Sequence, residues 1–420
     1  MTLRITGKNS ELLADVLRSA KTHVPYYKKI ITNDHVFFRE KFDTVPLLEK
    51  KDIIQHQNEL LDERVNIRDL IKDTTSGSTG TPLTIYRSYT DSFRSGKEIW
   101  ARRRQYADIG AQDRYAKYYR FLDHDFSYKD IIQEKNFIAL SLMNLTDEGF
   151  RDFCTKILEF KPRWFFAVPS ATYLFARFLQ NSEYGSGEFL GFKYIELSGE
   201  YVFDYQLELI KNVFKCPVVN HYGSRETWAI ATTCENGRFH VVDTNVHLEI
   251  VDARNRPIPE SDIGVRGEVV VTALHNMAMP FIRYRLGDIA SWEVCDCGWD
   301  TPVIKLHGAR TTEFIITPSG PVSSVVFYLL AEKLNARYDK IMIGFQVVQT
   351  KMDEFVFKVI PAKNFDERIV KEEIERDLAG YLSYPVTVRL ETGGNVEALP
   401  GGKWKYFISE VKDVQGHEGL

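Results

Sequence analysis

The chain has no long apolar run, no excess of positive charge and few cysteines, and each shortage removes a class of protein. Its longest apolar stretch in the C-terminal third, Val325-Val326-Phe327-Tyr328-Leu329-Leu330-Ala331, is far too short to span a bilayer. No apolar signal core follows Met1-Thr2-Leu3-Arg4-Ile5-Thr6-Gly7-Lys8. No membrane partner is expected, and the expected location is the cytoplasm. Lys and Arg total 54 against 58 Asp and Glu, a formal charge of -4, which gives no support to nonspecific nucleic-acid binding. The cluster Arg102-Arg103-Arg104 reads as a solvated helix face or the rim of a site. Five cysteines, an odd number, do not suggest a disulfide framework. Neither a Gly-x-Ser-x-Gly elbow nor His-Glu-x-x-His is present. A G-x-x-x-x-G-K-[ST] phosphate loop is missing too.

What the chain does have is Thr74-Thr75-Ser76-Gly77-Ser78-Thr79-Gly80-Thr81-Pro82, hydroxyls and glycines with no aliphatic side chain. Such a segment adds nothing to a core. It offers backbone N–H groups and hydroxyls to phosphate oxygens, because glycine lets the main chain approach a ligand closely. A plain polar surface loop has the same composition. With no lysine at its end, the loop needs its cationic help from elsewhere.

The 420 residues, 44% of them hydrophobic, allow sizeable cores, with two domains as the prior. Residues 9–30 read as an amphipathic helix, with Leu12, Leu13, Val16 and Leu17 at helical spacing. Leu83-Thr84-Ile85-Tyr86 alternates like a strand. Phe150–Phe160 reads as a helix, followed by a buried strand Trp164–Val168. A helix runs from Asp204 to Phe214, then a strand Cys216–Asn220. This alternation implies an α/β layer architecture. From about residue 238 the pattern becomes antiparallel β, with Val246, Leu248 and Ile250 alternating with polar residues. Beyond residue 311 the expected order is a strand Phe314–Thr317, a helix Ser323–Leu334, strands Ile341–Gln349 and Glu354–Ile360, a helix Phe365–Tyr381 and a strand Val386–Leu390. That βαββαβ order over roughly 110 residues fits a small α+β domain. The expected division is 1–310 and 311–420.

Three further segments carry chemistry-bearing residues. In Asn220-His221-Tyr222-Gly223-Ser224-Arg225-Glu226 a valine-rich strand leads into a polar turn, where an open α/β sheet presents ligand groups. An aromatic face there could stack on a base and a carboxylate could hold Mg²⁺; an ordinary turn with a surface ion pair has the same letters. In Arg283-Tyr284-Arg285-Leu286-Gly287-Asp288 the aspartate could accept ribose hydroxyls and the arginines could meet phosphate or carboxylate, or the segment is a β-turn with exposed charges. Leu399-Pro400-Gly401-Gly402-Lys403-Trp404-Lys405 puts a lysine on a glycine-rich loop, where it is solvated or reaches an α-phosphate whose charge grows in a transition state.

In this order and combination the segments resemble the adenylate-forming superfamily of acyl-CoA synthetases, luciferases and peptide-synthetase adenylation domains, over nearly the whole chain. Within it the chain is most similar to the branch of phenylacetate–CoA ligases and proteins of capsular-polysaccharide gene clusters. Tyr26-Tyr27-Lys28 and Pro46-Leu47-Leu48-Glu49-Lys50-Lys51-Asp52 resemble that branch's lead-in. The resemblance implies a large N-terminal domain of α/β sheets with a β-rich part, and a small, mobile α+β C-terminal domain. It implies that Thr75, Ser76, Gly77, Ser78, Thr79, Gly80 and Thr81 form the phosphate loop. Ser198, Gly199 and Glu200 would lie along the adenine. Tyr222 would stack on adenine, with Gly223 and Ser224 beside it in the same nucleotide-binding motif, Glu226 would bind Mg²⁺ and Asp288 would hold the ribose. Arg310 would sit near ribose and phosphate, and Lys403 would be the adenylation lysine. Three positions depart from the family pattern: Arg225 where many relatives have Ser or Thr, Ala309 for the hinge glycine, and Thr312-Glu313 for a pair of aspartates.

Cys234-x5-His240 and Cys295-Asp296-Cys297-Gly298 supply two ligand pairs, as a tetrahedral zinc site requires. Relatives in the branch have a similar Cys-rich turn. Such a zinc would be structural; buried free thiols are the other reading. Cys154 and Cys216 sit in apolar contexts and read as core.

The expected function is ATP- and Mg²⁺-dependent adenylation of a carboxylic acid, an aromatic one by the resemblance, with transfer of the acyl group to coenzyme A. An amine or a carrier-protein thiol is the alternative acceptor, and a nucleotide-binding protein without catalysis is the alternative class. Tyr118, Tyr119, Phe166, Val168 and His221 are the candidate acyl-pocket residues. A homodimer stays open. Which acid is taken cannot be read from the sequence.

Overall fold

A computed structural model describes residues 7–31, 42–74, 83–119, 130–142, 144–202, 204–307, 314–339, 341–392, 398–399, 403–404 and 407–411. The expected first helix is two helices, α1 (Gly7–His23) and α2 (Pro25–Ile30). Pro25 stands at the first position of α2, where its missing N–H costs nothing, and it ends the helix before it. A short α3 (Lys50–Gln55) follows, opened by a reciprocal cap between Glu49 and Asp52. β1 (Ile71–Thr74) and β2 (Thr84–Arg87) pair antiparallel, Thr74 to Thr84.

The next part alternates: α4 (Tyr89–Ala107), β3 (Tyr115–Tyr119), β4 (Ile131–Gln133), β5 (Phe137–Ser141), α5 (Asp147–Phe160), β6 (Trp164–Ala167), α6 (Pro169–Asn181), β7 (Tyr194–Ser198), α7 (Asp204–Phe214) and β8 (Val218–Ser224). Then come β9 (Trp228–Thr233), β10 (Phe239–Val241), β11 (Val246–Val251), β12 (Arg266–Ala273), β13 (Tyr284–Glu293) and β14 (Val303–Leu306). All twelve of these strands join in one sheet, ordered β11-β12-β13-β14-β10-β9-β8-β7-β6-β3-β5-β4. The stretch β8-β7-β6-β3-β5 is parallel and the flanks are antiparallel. The two textures seen in the sequence are therefore two ends of a single sheet, with β8 as the seam.

Strand alternation decides what each face of the parallel part meets. Ala116, Phe165, Ile195, Leu197 and Val218 point to a core made with α5, α6 and α7. Trp164, Tyr194 and Val219 point the other way, toward Trp100 and Tyr106 of α4. A third core joins α1 and α2 to the β-rich end, where Leu17, Tyr27 and Ile31 pack with Ile250, Val269 and Phe281.

The tail has β15 (Phe314–Thr317), β16 (Gly320–Ser323), α8 (Val325–Arg337), β17 (Met342–Lys351), β18 (Glu354–Pro361), α9 (Glu367–Leu382), β19 (Thr387–Thr392), β20 (Ala398–Leu399), β21 (Lys403–Trp404) and β22 (Phe407–Ser409). Its four-stranded sheet runs β19-β18-β17-β22 and holds its own core around Phe327, Phe355 and Phe407. Two elements differ from expectation. A strand at Gly320–Ser323, paired with β15, was not expected and takes Ser323 from the expected helix, and a last short strand, β22, pairs in parallel with β17. The α/β class, with a β-rich part and a smaller α+β tail, is the fold of the chain.

Candidate active site

The strand expected to end at Asn220 continues to Ser224, because Tyr222, Gly223 and Ser224 pair with Ala231, Ala229 and Trp228 of β9. The polar turn is thus Arg225-Glu226-Thr227. Gly223 sits at a register shift, and a Cβ there would come within 2.5 Å of the Trp228 carbonyl oxygen. Asp288, expected at a strand end, lies inside β13. Arg285 pairs with Val270 and Ile289 with Glu268, so residues 286–288 oppose Val269 alone, and Gly287 takes φ +84°. A bulge of this kind re-aims side chains beside functional sites.

The bulge brings the two motifs together through a pair of bonds. Tyr222 Oη donates to Asp288 Oδ2 at 2.7 Å, and Tyr284 Oη donates to Glu226 Oε1 at 3.1 Å. The lead-in segments brace this strand. Leu48 and the backbone of 283–285 exchange bonds of 3.0 Å, Tyr27 Oη donates to the Pro280 carbonyl, and Ile282 N–H donates to Tyr27 Oη.

Ser198 and Glu200 have their side chains committed to the protein. Ser198 Oγ donates to the His221 carbonyl at 3.0 Å, and Gly199 takes φ +92°. Glu200 accepts from the Ser170 N–H at 3.0 Å and from Ser170 Oγ at 3.1 Å, so its carboxylate sits at the start of α6. Next to this segment opens a cavity of about 760 Å³ lined by Tyr201, Val202, Asn220, Phe239, Lys305 and Leu306. That volume falls in the range of small-ligand sites. Lys403 is in β21, paired with Leu399. Thr75, Ser76, Gly77, Ser78, Thr79, Gly80, Thr81 and Arg310 lie outside the described residues, as do Ala309 and Thr312-Glu313.

Of phosphate and carboxylate, the two partners open to them, Arg283 and Arg285 meet carboxylates of the protein and are not exposed charges of a turn. Arg283 is buried, with φ +50°, and its guanidinium holds Glu249 at 3.0 and 2.9 Å and the Asp43 and Val45 carbonyls. Arg285 holds Glu268 at 2.7 Å. Nor is Arg103 solvated. It grips Glu196 with two bonds of 2.7 Å, and its guanidinium lies over Trp100 and Trp164. Among the acyl-pocket candidates, Tyr118 is core: it packs on Phe165 and donates to the Ala171 carbonyl. Phe166 and His221 lie on the α4 face, with His221 Nδ1 2.8 Å from Glu196 Oε1.

Cys234, His240, Cys295 and Cys297 meet, with their four ligand atoms all within 4.8 Å of one another. Cys234 Sγ is 3.7 Å from Cys295 Sγ, and Cys297 Sγ is 3.2 Å from His240 Nε2. Tetrahedral zinc with Zn–S bonds of about 2.3 Å has sulfurs about 3.8 Å apart, so the donor set fits that ion. His240 Nδ1 is bonded to Thr301 Oγ1 at 3.2 Å, which leaves Nε2 facing the sulfurs. Burial pushes His240 down to about 4, keeping it neutral. Burial and the neighbouring sulfurs push the Cys297 thiol up to about 11, while hydrogen bonds from Cys297, Cys234 and Asn236 pull the Cys295 thiol down against its burial. Cys154 and Cys216 are pushed up to about 12 by burial, as inert thiols are.

The sequence model of the AMP-binding enzyme family matches residues 46–279, more than half of the chain and the part that holds the motifs up to β13. The chain belongs to the AMP-binding enzyme family. Among curated proteins, Protein CapK of Staphylococcus aureus is similar at 20% identity over 417 residues, 96% of this chain and 86% of that protein. Among solved structures, 2-hydroxyisobutyryl-CoA ligase in a postadenylation state is similar with TM-score 0.60 and 19% identity, covering 96% of this chain and 89% of that one. The same ligase with 2-HIB-AMP and CoA in a thioesterification state gives TM-score 0.63 at 17% identity, over 96% and 88%. These structures share the fold of this AMP-binding enzyme. No helix among the described residues is long and apolar enough to cross a membrane.

The motifs alone missed three features of this AMP-binding enzyme. Tyr284 is the partner of Glu226, Thr301 is the partner of His240, and Glu196 anchors His221. Only the last left a trace in the sequence: an acid in the middle of the apolar strand Tyr194-Ile195-Glu196-Leu197 must find a buried partner.

Proposed function

We propose that this AMP-binding enzyme is an acid–thiol ligase. A substrate carboxylate oxygen attacks the α-phosphorus of ATP, the bond to pyrophosphate breaks, and an acyl adenylate forms. The thiol of coenzyme A then attacks the acyl carbonyl and AMP leaves. The protein positions the reactants and stabilises charge, with no covalent enzyme intermediate. Support comes above all from the paired bonds Tyr222–Asp288 and Tyr284–Glu226, which tie an aromatic ring, a ribose-binding carboxylate and a metal-binding carboxylate into one unit.

In this reading Thr75–Thr81 holds the phosphates, Ser198-Gly199-Glu200 and Tyr222 line the adenine, Asp288 takes the ribose, and Arg310 lies near ribose and phosphate. Glu226 would hold Mg²⁺, which supplies charge neutralisation when bound. Lys403 meets the charge growing on the α-phosphate. The acid is aromatic, facing Tyr119, Phe166 and His221; Tyr118 is withdrawn. Residues 1–310 form the nucleotide- and acyl-binding domain, and 311–420 the mobile domain that brings Lys403. Cys234, His240, Cys295 and Cys297 hold a structural zinc that clips the turn after β9 to the loop between β13 and β14. Free thiols in such a cluster favour a reducing cytoplasm.

ATP–pyrophosphate exchange across a panel of aryl and aliphatic acids tests the reading. Exchange should appear with at least one aryl acid, and thioester should form when coenzyme A is added. Lys403→Ala should abolish exchange and leave ATP binding within a few-fold. ATP binding without exchange on any acid would sink the ligase and leave a nucleotide-binding protein; exchange without thioester would move the acceptor to an amine or a carrier thiol.

A further inference from the structure

The residue that departs most from the family motif makes the most telling contact. Arg225 Nη1 donates to Asp73 Oδ1 at 2.6 Å and to the Thr74 carbonyl at 3.0 Å. These bonds cross 152 and 151 residues and tie the turn after β8 to the last residues of β1, immediately before Thr75. Both use a single terminal nitrogen. The side chain is 46% exposed, and among the described residues Nη2 and Nε make no hydrogen bond. A guanidinium has five donors in a rigid fork, so the unused edge is a complete phosphate-binding edge.

A second arginine shares the carboxylate. Arg87, with only 4% of its side chain exposed, has Nη1 3.7 Å from Asp73 Oδ2. Its Nη2 is buried with no hydrogen-bond partner among the described residues. Asp73 thus holds one arginine on each oxygen, and Glu226, next to Arg225 in the chain, lies close enough to act on the charge of Arg87. Asp91 also acts on the charge of Arg87, so the two arginines face three carboxylates, Asp73, Glu226 and Asp91. Removing Arg225 makes the cluster more negative still, which repels a polyphosphate.

We propose that Arg225, oriented by Asp73 and the Thr74 carbonyl and backed by Arg87, binds the β- and γ-phosphates of ATP, supplying the cation that the lysine-free glycine loop lacks. This rests on the reading of the site as an ATP-dependent adenylation site. It makes the substitution in the motif a gain of a phosphate ligand, and it joins the phosphate side of the site to the adenine strand mechanically.

AMP lacks the two phosphates in question, so comparing it with ATP isolates the contact. Calorimetric titration of the full chain with MgATP and with AMP should show that Arg225→Ala weakens MgATP about 10- to 100-fold, the scale of a charge-assisted bond, and moves AMP less than about two-fold. Arg225→Lys, which keeps the charge and loses the fork, should fall between, and its melting temperature should match the wild type. Equal loss for both nucleotides, or no loss for MgATP, overturns the proposal and leaves Arg225 as a structural tie. Should the alanine variant fail to fold, Arg225→Lys decides: unchanged MgATP binding overturns the bidentate contact. A wild type that binds neither nucleotide overturns the adenylation reading itself, a result no Arg225 variant can mimic.

Discussion

At the scale of single residues, Glu196 is a fully committed buried charge. Its side chain is fully buried, and it accepts from Arg103 twice, from His221 Nδ1, and from Tyr194 Oη at 3.1 Å. Burial alone would raise its pKa, but the charge and bonds of Arg103, joined by His221, hold the carboxyl well below the usual carboxylate range. A depressed carboxyl stabilises the fold above its unfolded pKa, about 4.3, and that contribution drains away as pH falls below about 4 toward the folded value. Arg103→Met leaves the carboxylate buried without its cation, which costs about 3–5 kcal/mol when one partner of a buried pair is lost. Urea unfolding at pH 7 should register that loss, and most of it should return in Arg103→Met with Glu196→Leu. A single-variant cost under about 1 kcal/mol would mean that the carboxylate protonates or rehydrates freely.

At the scale of elements, two attachments carry measurable consequences. Glu200 serves the first turn of α6 through the Ser170 N–H and hydroxyl, so Glu200→Ala should lower stability by about 1 kcal/mol, as loss of a cap does. If adenine is contacted only by the backbone of this segment, the ATP dissociation constant should move less than about two-fold; a larger shift gives the carboxylate a role at the nucleotide. The cysteine–histidine cluster joins the β9–β10 turn to the loop after β13. Protein purified without added metal should contain one zinc per chain, and a strong chelator or Cys295→Ser should lower the melting temperature. Absence of any metal by mass spectrometry would make the cluster a set of free thiols. These elements also show what the sequence could and could not tell. The ligand pairs were legible as spacing, but their meeting depends on β10 lying between β9 and β14. Pro25 was a legible signal for the break between α1 and α2, which the reading of residues 9–30 as one helix passed over. The extension of β8 through Ser224 was hidden, because it depends on pairing with β9. The Arg102-Arg103-Arg104 triplet looked solvated since nothing local reveals a glutamate 93 residues away. Strand β22, three residues long, is too short for alternation to show.

At the scale of the whole molecule, the proposed function requires the tail to change position between two half-reactions, and two side-chain hydrogen bonds among the described residues join the tail to the larger part of the chain. Arg177 of α6 donates to Ser383 Oγ just beyond α9, and Tyr381 Oη of α9 donates to the Leu142 carbonyl at 3.4 Å. The first is exposed and the second part-buried and long, and a hydrogen bond contributes only about 0.5–1.5 kcal/mol net. Weak contacts suit a domain that must let go, because a two-state equilibrium shifts only by the difference in contact energy between its states. The variant Arg177→Ala with Tyr381→Phe should therefore leave overall stability within about 1 kcal/mol while moving the two half-reactions in opposite directions, by up to about ten-fold in their ratio. Pyrophosphate exchange reads the first half-reaction, and thioester formation from preformed acyl adenylate reads the second. Whichever rate falls identifies the half-reaction that this arrangement serves. Parallel changes in both rates would show that these contacts hold the tail's position without biasing which step it serves.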